Sequence, residues 1–180
     1  MPEIEIRPAV KEDIAILAKM DHSYTSDHVW QMDPHFNSGQ TGAVFREVRL
    51  PRETKVDYPR SPQSLIKHWE SYSGVLVAIH SDEPVGYTSL VENMMPITTW
   101  VMDLAVRPNL RYQGIGSALM LAALDWTKVQ TKTQRLILGM QTKNFPGISM
   151  AQKLGFDYCG YIDHFYPNRD IAIFFTKWII

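Results

Sequence analysis

Short apolar runs and stretches of helical period alternate along the chain, and their order predicts the elements. Ile4 and Ile6 alternate with Glu3, Glu5 and Arg7, which reads as a strand over 3–7. Lys11-Glu-Asp13 opens a helix with acidic residues in its first turn, where the dipole favours them, and Ile14, Leu17 and Ala18 supply its apolar face. Residues 21–60 mix His, Trp, Asp and Pro without a clear period, and only Val44–Leu50 alternates enough to predict a strand. Ser61 is an N-cap followed by Pro62 at the first helical position; Leu65, Trp69 and Tyr72 form the buried stripe, and Gly74 stops that helix. Val75–His80, the turn Ser81–Pro84 and Val85–Glu92 predict an antiparallel pair, with Trp100–Val106 as the next strand. After Gly114, the residues Ile115, Leu119, Ala122, Trp126 and Val129 predict one helical stripe. Leu136–Met140 is a strand, and Asn144 with Pro146 starts a helix carrying Ile148, Ala151 and Leu154, which Gly155 ends. Tyr158–Phe165 and Ile171–Trp178 close the chain as strands joined by the turn at Tyr166–Arg169. The fold class expected is α/β of the α+β kind: a mixed, mostly antiparallel sheet of about seven strands with helices on both faces. With no repeat and no linker, residues 1–180 are expected to form a single domain.

Between the strand ending at Val106 and the helix starting at Ile115 lies Arg111-Tyr-Gln-Gly-Ile-Gly-Ser117. The first N–H groups of a helix lack partners within it and attract anions. Gly114 and Gly116 lack Cβ, so a ligand can approach the backbone closely. Arg111 adds a charge suited to phosphate. A P-loop would need Lys-Ser/Thr after its second Gly, and the dinucleotide fingerprint would need Gly or Ala where Leu119 stands. The turn therefore predicts a phosphate site that uses neither motif.

Composition narrows the classes. A net charge of −1 provides no basic field for nucleic acid. No apolar run approaches the ~18 residues of a membrane span, and the N-terminus carries Glu3 and Glu5 instead of a leader, so a cytoplasmic protein is expected. Cys159 is the only cysteine, which excludes an intrachain disulfide and suits a reducing compartment; a buried, inert thiol is expected there. The six His residues show no HExxH or paired spacing, so no metal site is expected.

Arg111-x-x-Gly114-x-Gly116, following a strand that ends Leu-Ala-Val-x-Pro, resembles the acetyl-CoA-binding motif of the GNAT N-acetyltransferases. Asp103-Leu-Ala-Val106 and the terminal Asp170-Ile-Ala-Ile-Phe-Phe175 are similar to the streptothricin acetyltransferase branch of that superfamily. The resemblance covers about residues 75–178 and implies the GNAT fold with acetyl-CoA as co-substrate. It implies that Arg111, Tyr112, Gln113, Gly114, Ile115, Gly116 and Ser117 hold the coenzyme's pyrophosphate and that Leu104, Ala105 and Val106 bind the pantetheine arm. Asn144 matches a coenzyme-contacting Asn. The two strands flanking the central helix are expected to splay, with the thioester in the gap between Leu104–Val106 and Leu136–Met140. A Tyr that often serves as general acid four residues before a Gly-Phe pair is replaced here by Ala151, leaving Tyr158, Tyr161 and Tyr166 as substitutes. Pairwise association is common in the family, and a homodimer, with the last strands as candidate interface, is the oligomer expected.

Acetyl transfer to an amine requires loss of the amine's proton, a donor for the developing oxyanion and a proton for the departing thiolate. Asp103 interrupts an apolar strand, where a charge is costly unless used or paired, and is the first candidate for base or amine anchor; the alternative is a structural Asp bonded to backbone or a nearby Arg. Glu92 ends the neighbouring strand and is the second candidate; Tyr166 completes the catalytic set. The function expected is transfer of acetyl to a small cationic amine, an aminated antibiotic being one such acceptor. It would enter over residues 21–60, under Trp30, into a cleft made acidic by Asp27, Asp33, Glu92 and Asp103. Acetylation of a protein N-terminus or lysine, and an acyl-CoA-binding module without catalysis, are the rivals.

Overall fold

A computed structural model describes residues 2–130 and 132–179. Its main sheet has seven strands in the order β1-β4-β5-β6-β7-β9-β8. These are β1 (Glu5–Pro8), β4 (Gly74–His80), β5 (Glu83–Met95), β6 (Thr98–Val106), β7 (Arg135–Gln141), β8 (Asp157–Ile162) and β9 (Ala172–Trp178). Neighbours pair antiparallel except β6 and β7, which are parallel. The helices are α1 (Lys11–Leu17), α2 (Gln63–His68), α3 (Ile115–Lys128) and α4 (Phe145–Lys153). Alternation along β4 divides them between the two faces: Val75 and Val77 bury against Ile14, Leu17 and Leu65 of α1 and α2, whereas Leu76 and Ala78 face α3. The expected sheet and its helix-covered faces are both present.

The largest departure from expectation is in residues 21–60. Instead of one strand, β2 (Tyr24–Asn37) and β3 (Gln40–Val56) form a long hairpin, a separate two-stranded sheet that turns at Ser38-Gly39. Its register jumps between Ser26↔Thr54 and His28↔Arg49, so residues 50–53 loop out opposite Asp27. The Trp30 N–H donates to Thr142 O (2.9 Å), tying the arm to the end of β7. The Gly expected to end α2 instead begins β4.

The buried stripe of α3 is rotated from the expected one. Ile115, Leu119, Met120, Ala123, Leu124 and Thr127 are buried, while Val129 is 73% exposed and sits past the helix end. Thr127 tolerates burial because its hydroxyl donates to Ala123 O (2.7 Å). In α4 the expected Asn144 cap is formed, its side chain accepting from Gly147 N–H (3.0 Å).

β6 carries a bulge. Ser89 pairs with Asp103 but Leu90 pairs with Val101, so Met102 is the extra residue. A bulge bends its strand, and β6 leaves β7 at this point: their pairing covers only Thr98–Val101 and Arg135–Leu138. The gap thus opens at Gly139, and Leu136–Leu138 remain hydrogen-bonded rather than splayed as expected.

Candidate active site

The splay opens into a cleft of about 1000 Å³. There Leu104, Ala105 and Val106 of β6 face Gly139 and Met140 of β7, and the α3 turn contributes Arg111, Tyr112, Gly114, Gly116 and Ser117. Gly114 adopts φ 90°, and no side chain caps the helix. The first helical hydrogen bond is Ala118 N–H to Gly114 O (3.0 Å), so the amides of Ile115, Gly116 and Ser117 are left for a ligand. A Cβ at Gly116 would make only an ordinary contact with Met150 Sδ, at 3.5 Å.

Three expected coenzyme residues behave differently. The Arg111 guanidinium is engaged by backbone: Nε donates to Val106 O (2.7 Å), one terminal nitrogen to Asp21 O (2.7 Å) and the other to Ser23 O. The charge expected to meet phosphate therefore fastens the end of β6 to the segment entering β2. Gln113 lies outside the cleft lining and donates to Asn109 O (3.2 Å). The Ile115 side chain is core, packed with Leu119 and Val106, so only its amide reaches the site. Asn144 lines the cleft with its oxygen already given to the α4 cap.

The cleft is also lined by His22, Tyr24, Thr25, Asp27, Glu53, Tyr58, Arg60 and Tyr166. Asp103 is 4% exposed, and its carboxylate accepts from Tyr58 Oη (3.0 Å), Arg60 Nε (3.1 Å) and Ser89 Oγ (2.8 Å). Burial and the Asp103 charge hold the Tyr58 hydroxyl well above the usual phenol range, so it remains a donor. Behind it, His22 Nδ1 contacts Met20 O (2.7 Å), which only accepts, so that nitrogen carries the proton and Nε2 accepts from Tyr87 Oη (3.1 Å). Burial pushes His22 below the ordinary imidazole value, favouring this neutral form. Tyr166 lines the cleft at 7% exposure, and its hydroxyl forms no hydrogen bond among the described residues. Burial raises it to about 12.

Glu92 is not brought to the cleft. It pairs opposite Thr99, at the end where β6 and β7 are still joined, and accepts from Thr133 Oγ1 (2.9 Å). Asp33 is likewise remote, pairing with Arg46 in the hairpin (2.8 Å). Ala151 faces the core with Ile148 and Phe156 rather than the cleft. Cys159 is exposed on β8, away from the cleft, contrary to the buried thiol expected. Sequence reasoning missed Tyr58, Arg60, Glu53 and Gln141. Gln141 gave one signal, a polar residue closing the dense apolar run of β7.

The family model described as Acetyltransferase (GNAT) family matches residues 43–156, more than half the chain. A streptothricin acetyltransferase of Streptomyces lavendulae is 27% identical over 161 residues, covering 87% of this chain and 82% of that protein. Among solved structures, a nourseothricin acetyltransferase superposes with TM-score 0.81 at 22% identity, covering 97% of this chain and 98% of that one. A Bacillus anthracis str. Ames structure in complex with acetyl coenzyme A gives TM-score 0.78 at 16% identity, covering 98% and 100%.

Proposed function

Because this chain belongs to the acetyltransferase (GNAT) family, whose co-substrate is acetyl-CoA, we propose that it transfers acetyl directly to the primary amine of a small cationic acceptor. The observation that carries this reading is the composition of one cleft: uncapped amides and glycines of the α3 turn, the β6–β7 gap, and Tyr24, Asp27 and Glu53 all line it. Acetyl-CoA supplies the activated acyl group. The amides of Ile115–Ser117 fit its pyrophosphate, and the edge of β6 beyond Val101, released from β7, lines the gap that fits its thioester arm.

The acceptor arrives as an ammonium, drawn by Asp27 and Glu53, and gives up its proton to solvent water before attack. Tyr166, unpartnered and protonated far above neutrality, is the donor assigned to the departing thiolate. Asp103 is assigned the fixed negative charge that holds Tyr58 and Arg60 in the wall, since its oxygens already accept three hydrogen bonds. Direct transfer is supported by the absence of cysteine from the described cleft lining. The streptothricin relative favours an aminated antibiotic as one acceptor.

The test is a panel of amines (streptothricin, spermidine, free lysine and a peptide with a free N-terminus) with acetyl-CoA, reading thiol release. Turnover of the small polycations above the peptide is expected. Preference for the peptide would move the activity to protein termini, and coenzyme binding without turnover on any amine would make the protein a binding module.

A further inference from the structure

A buried chain of hydrogen bonds runs from the cleft wall to the surface. Tyr24 Oη and Gln141 Oε1 are 2.9 Å apart, and Gln141 Nε2 and Asp170 Oδ2 are 2.8 Å apart. Asp170, just before β9, also accepts from Lys143 Nζ (2.7 Å) and Asn168 Nδ2 (2.9 Å). Gln141 is 2% exposed, so it has no water to rearrange with.

The direction of this chain is fixed at its outer end. An ionised carboxylate only accepts. Burial works against the Asp170 charge, but the bonds from Lys143 and Gln141 outweigh it and hold the carboxyl below its usual range. Gln141 must therefore turn its NH₂ toward Asp170 and its carbonyl toward Tyr24. A carbonyl also only accepts, so Tyr24 must donate. Its single proton is committed, and burial pushes its loss well above the usual phenol range. What Tyr24 offers the cleft is oxygen lone pairs, beside Asp27, Glu53 and the unpartnered Tyr166 hydroxyl.

We infer that Asp170 is a positioning residue: through Gln141 it sets the Tyr24 hydroxyl as a hydrogen-bond acceptor for an N–H of the incoming amine. The inference rests on the acetyl-transfer reading and deepens it. The acceptor class is a protonated amine that presents N–H donors toward Tyr24 as well as toward the acidic rim. A group that only accepts finds no partner at the Tyr24 hydroxyl.

Asp170→Asn tests the relay. An amide at 170 can accept from or donate to Gln141, which frees Gln141 to flip and Tyr24 to turn its proton into the cleft. With streptothricin as acceptor, or spermidine if the antibiotic is not turned over, the amine KM is expected to rise about tenfold, the size of one hydrogen bond to a charged group. The KM for acetyl-CoA and kcat should stay within twofold. Tyr24→Phe should raise the amine KM similarly, and adding Asp170→Asn to Tyr24→Phe should raise it no further. An equal rise from Asp170→Asn in both backgrounds would overturn the relay, because a purely structural loss acts regardless of Tyr24. If Asp170→Asn does not fold, Gln141→Met, which removes the acceptor of the Tyr24 proton, carries the same expectation and the same refutation. Absence of thiol release from the wild-type protein with every amine overturns the acetyl-transfer reading itself, a result distinct from turnover with an additive Asp170 effect.

Discussion

Asp103 shows how a buried charge is satisfied one donor at a time. Tyr58, Arg60 and Ser89 surround it, and removing the negative charge leaves Arg60 facing a neutral amide. Asp103→Asn is therefore expected to cost about 3 kcal/mol of stability, measured by urea unfolding. If Asp103 were instead the base, the acid limb of the kcat/KM pH profile would shift in this variant, and a clear shift would restore that role. Tyr166→Phe is expected to lower kcat by about a hundredfold with both KM values held, the scale of one lost proton donor. Tyr166 also predicts a stability loss in alkali. Its folded value is about 12 against the ordinary 10, so its contribution is full below pH 10 and is lost as the pH rises toward 12. Asp103 was legible as the one charge in an apolar strand. Its partners were not, because Tyr58 and Arg60 lie 45 and 43 positions earlier in a segment without periodicity. Arg111 was legible as a charge beside a glycine turn, but a sequence does not show that backbone carbonyls have already claimed a guanidinium.

Among elements, the strands and helices of the main sheet were readable because each buries a regular face. The hairpin was not. Pro34 and several charges break the alternation of β2, and the one signal read there, the alternating Val44–Leu50, is the middle of β3. The part of the arm beyond Asp33 and Val44 contributes nothing to the cleft lining. Replacing residues 34–43 with an Asn-Gly turn is expected to leave kcat/KM for both substrates within twofold. Gly86 is the opposite case: a Cβ there would lie 2.8 Å from Ala105 O, on the strand that lines the cleft. Gly86→Ala should destabilise the protein by about 2 kcal/mol and raise the KM for acetyl-CoA, measured by thermal melts and initial rates. The start of α1 contributes to behaviour in acid. Asp13 accepts from Val10 N–H (2.8 Å) and is held by Arg7 (2.7 Å), and although burial opposes the charge, these bonds keep its carboxyl below the usual value. That stability is present above about pH 4 and is lost as the pH falls through the folded value; Asp13→Asn should flatten the fall in urea midpoint between pH 5 and 3.

For the whole molecule, a mixed, mostly antiparallel sheet followed from the element order, whereas the strand order did not, nor did the point where β6 and β7 separate, which depends on one extra residue, Met102. The cleft made by that separation lies between elements rather than on them, so ligand binding should stabilise the entire fold. Acetyl-CoA at a hundred times its Kd is expected to add about 2.7 kcal/mol, visible as a rise in Tm. Arg111 carries the consequence further. One guanidinium holds Val106, at the mouth of the phosphate turn, together with Asp21 and Ser23, which lead directly into Tyr24. Filling either compartment therefore pulls on the same rivet, and the two substrates should sense each other: titrating one in the presence of a dead-end analogue of the other should give a changed affinity, equal in both directions, and Arg111→Lys should make the two titrations independent.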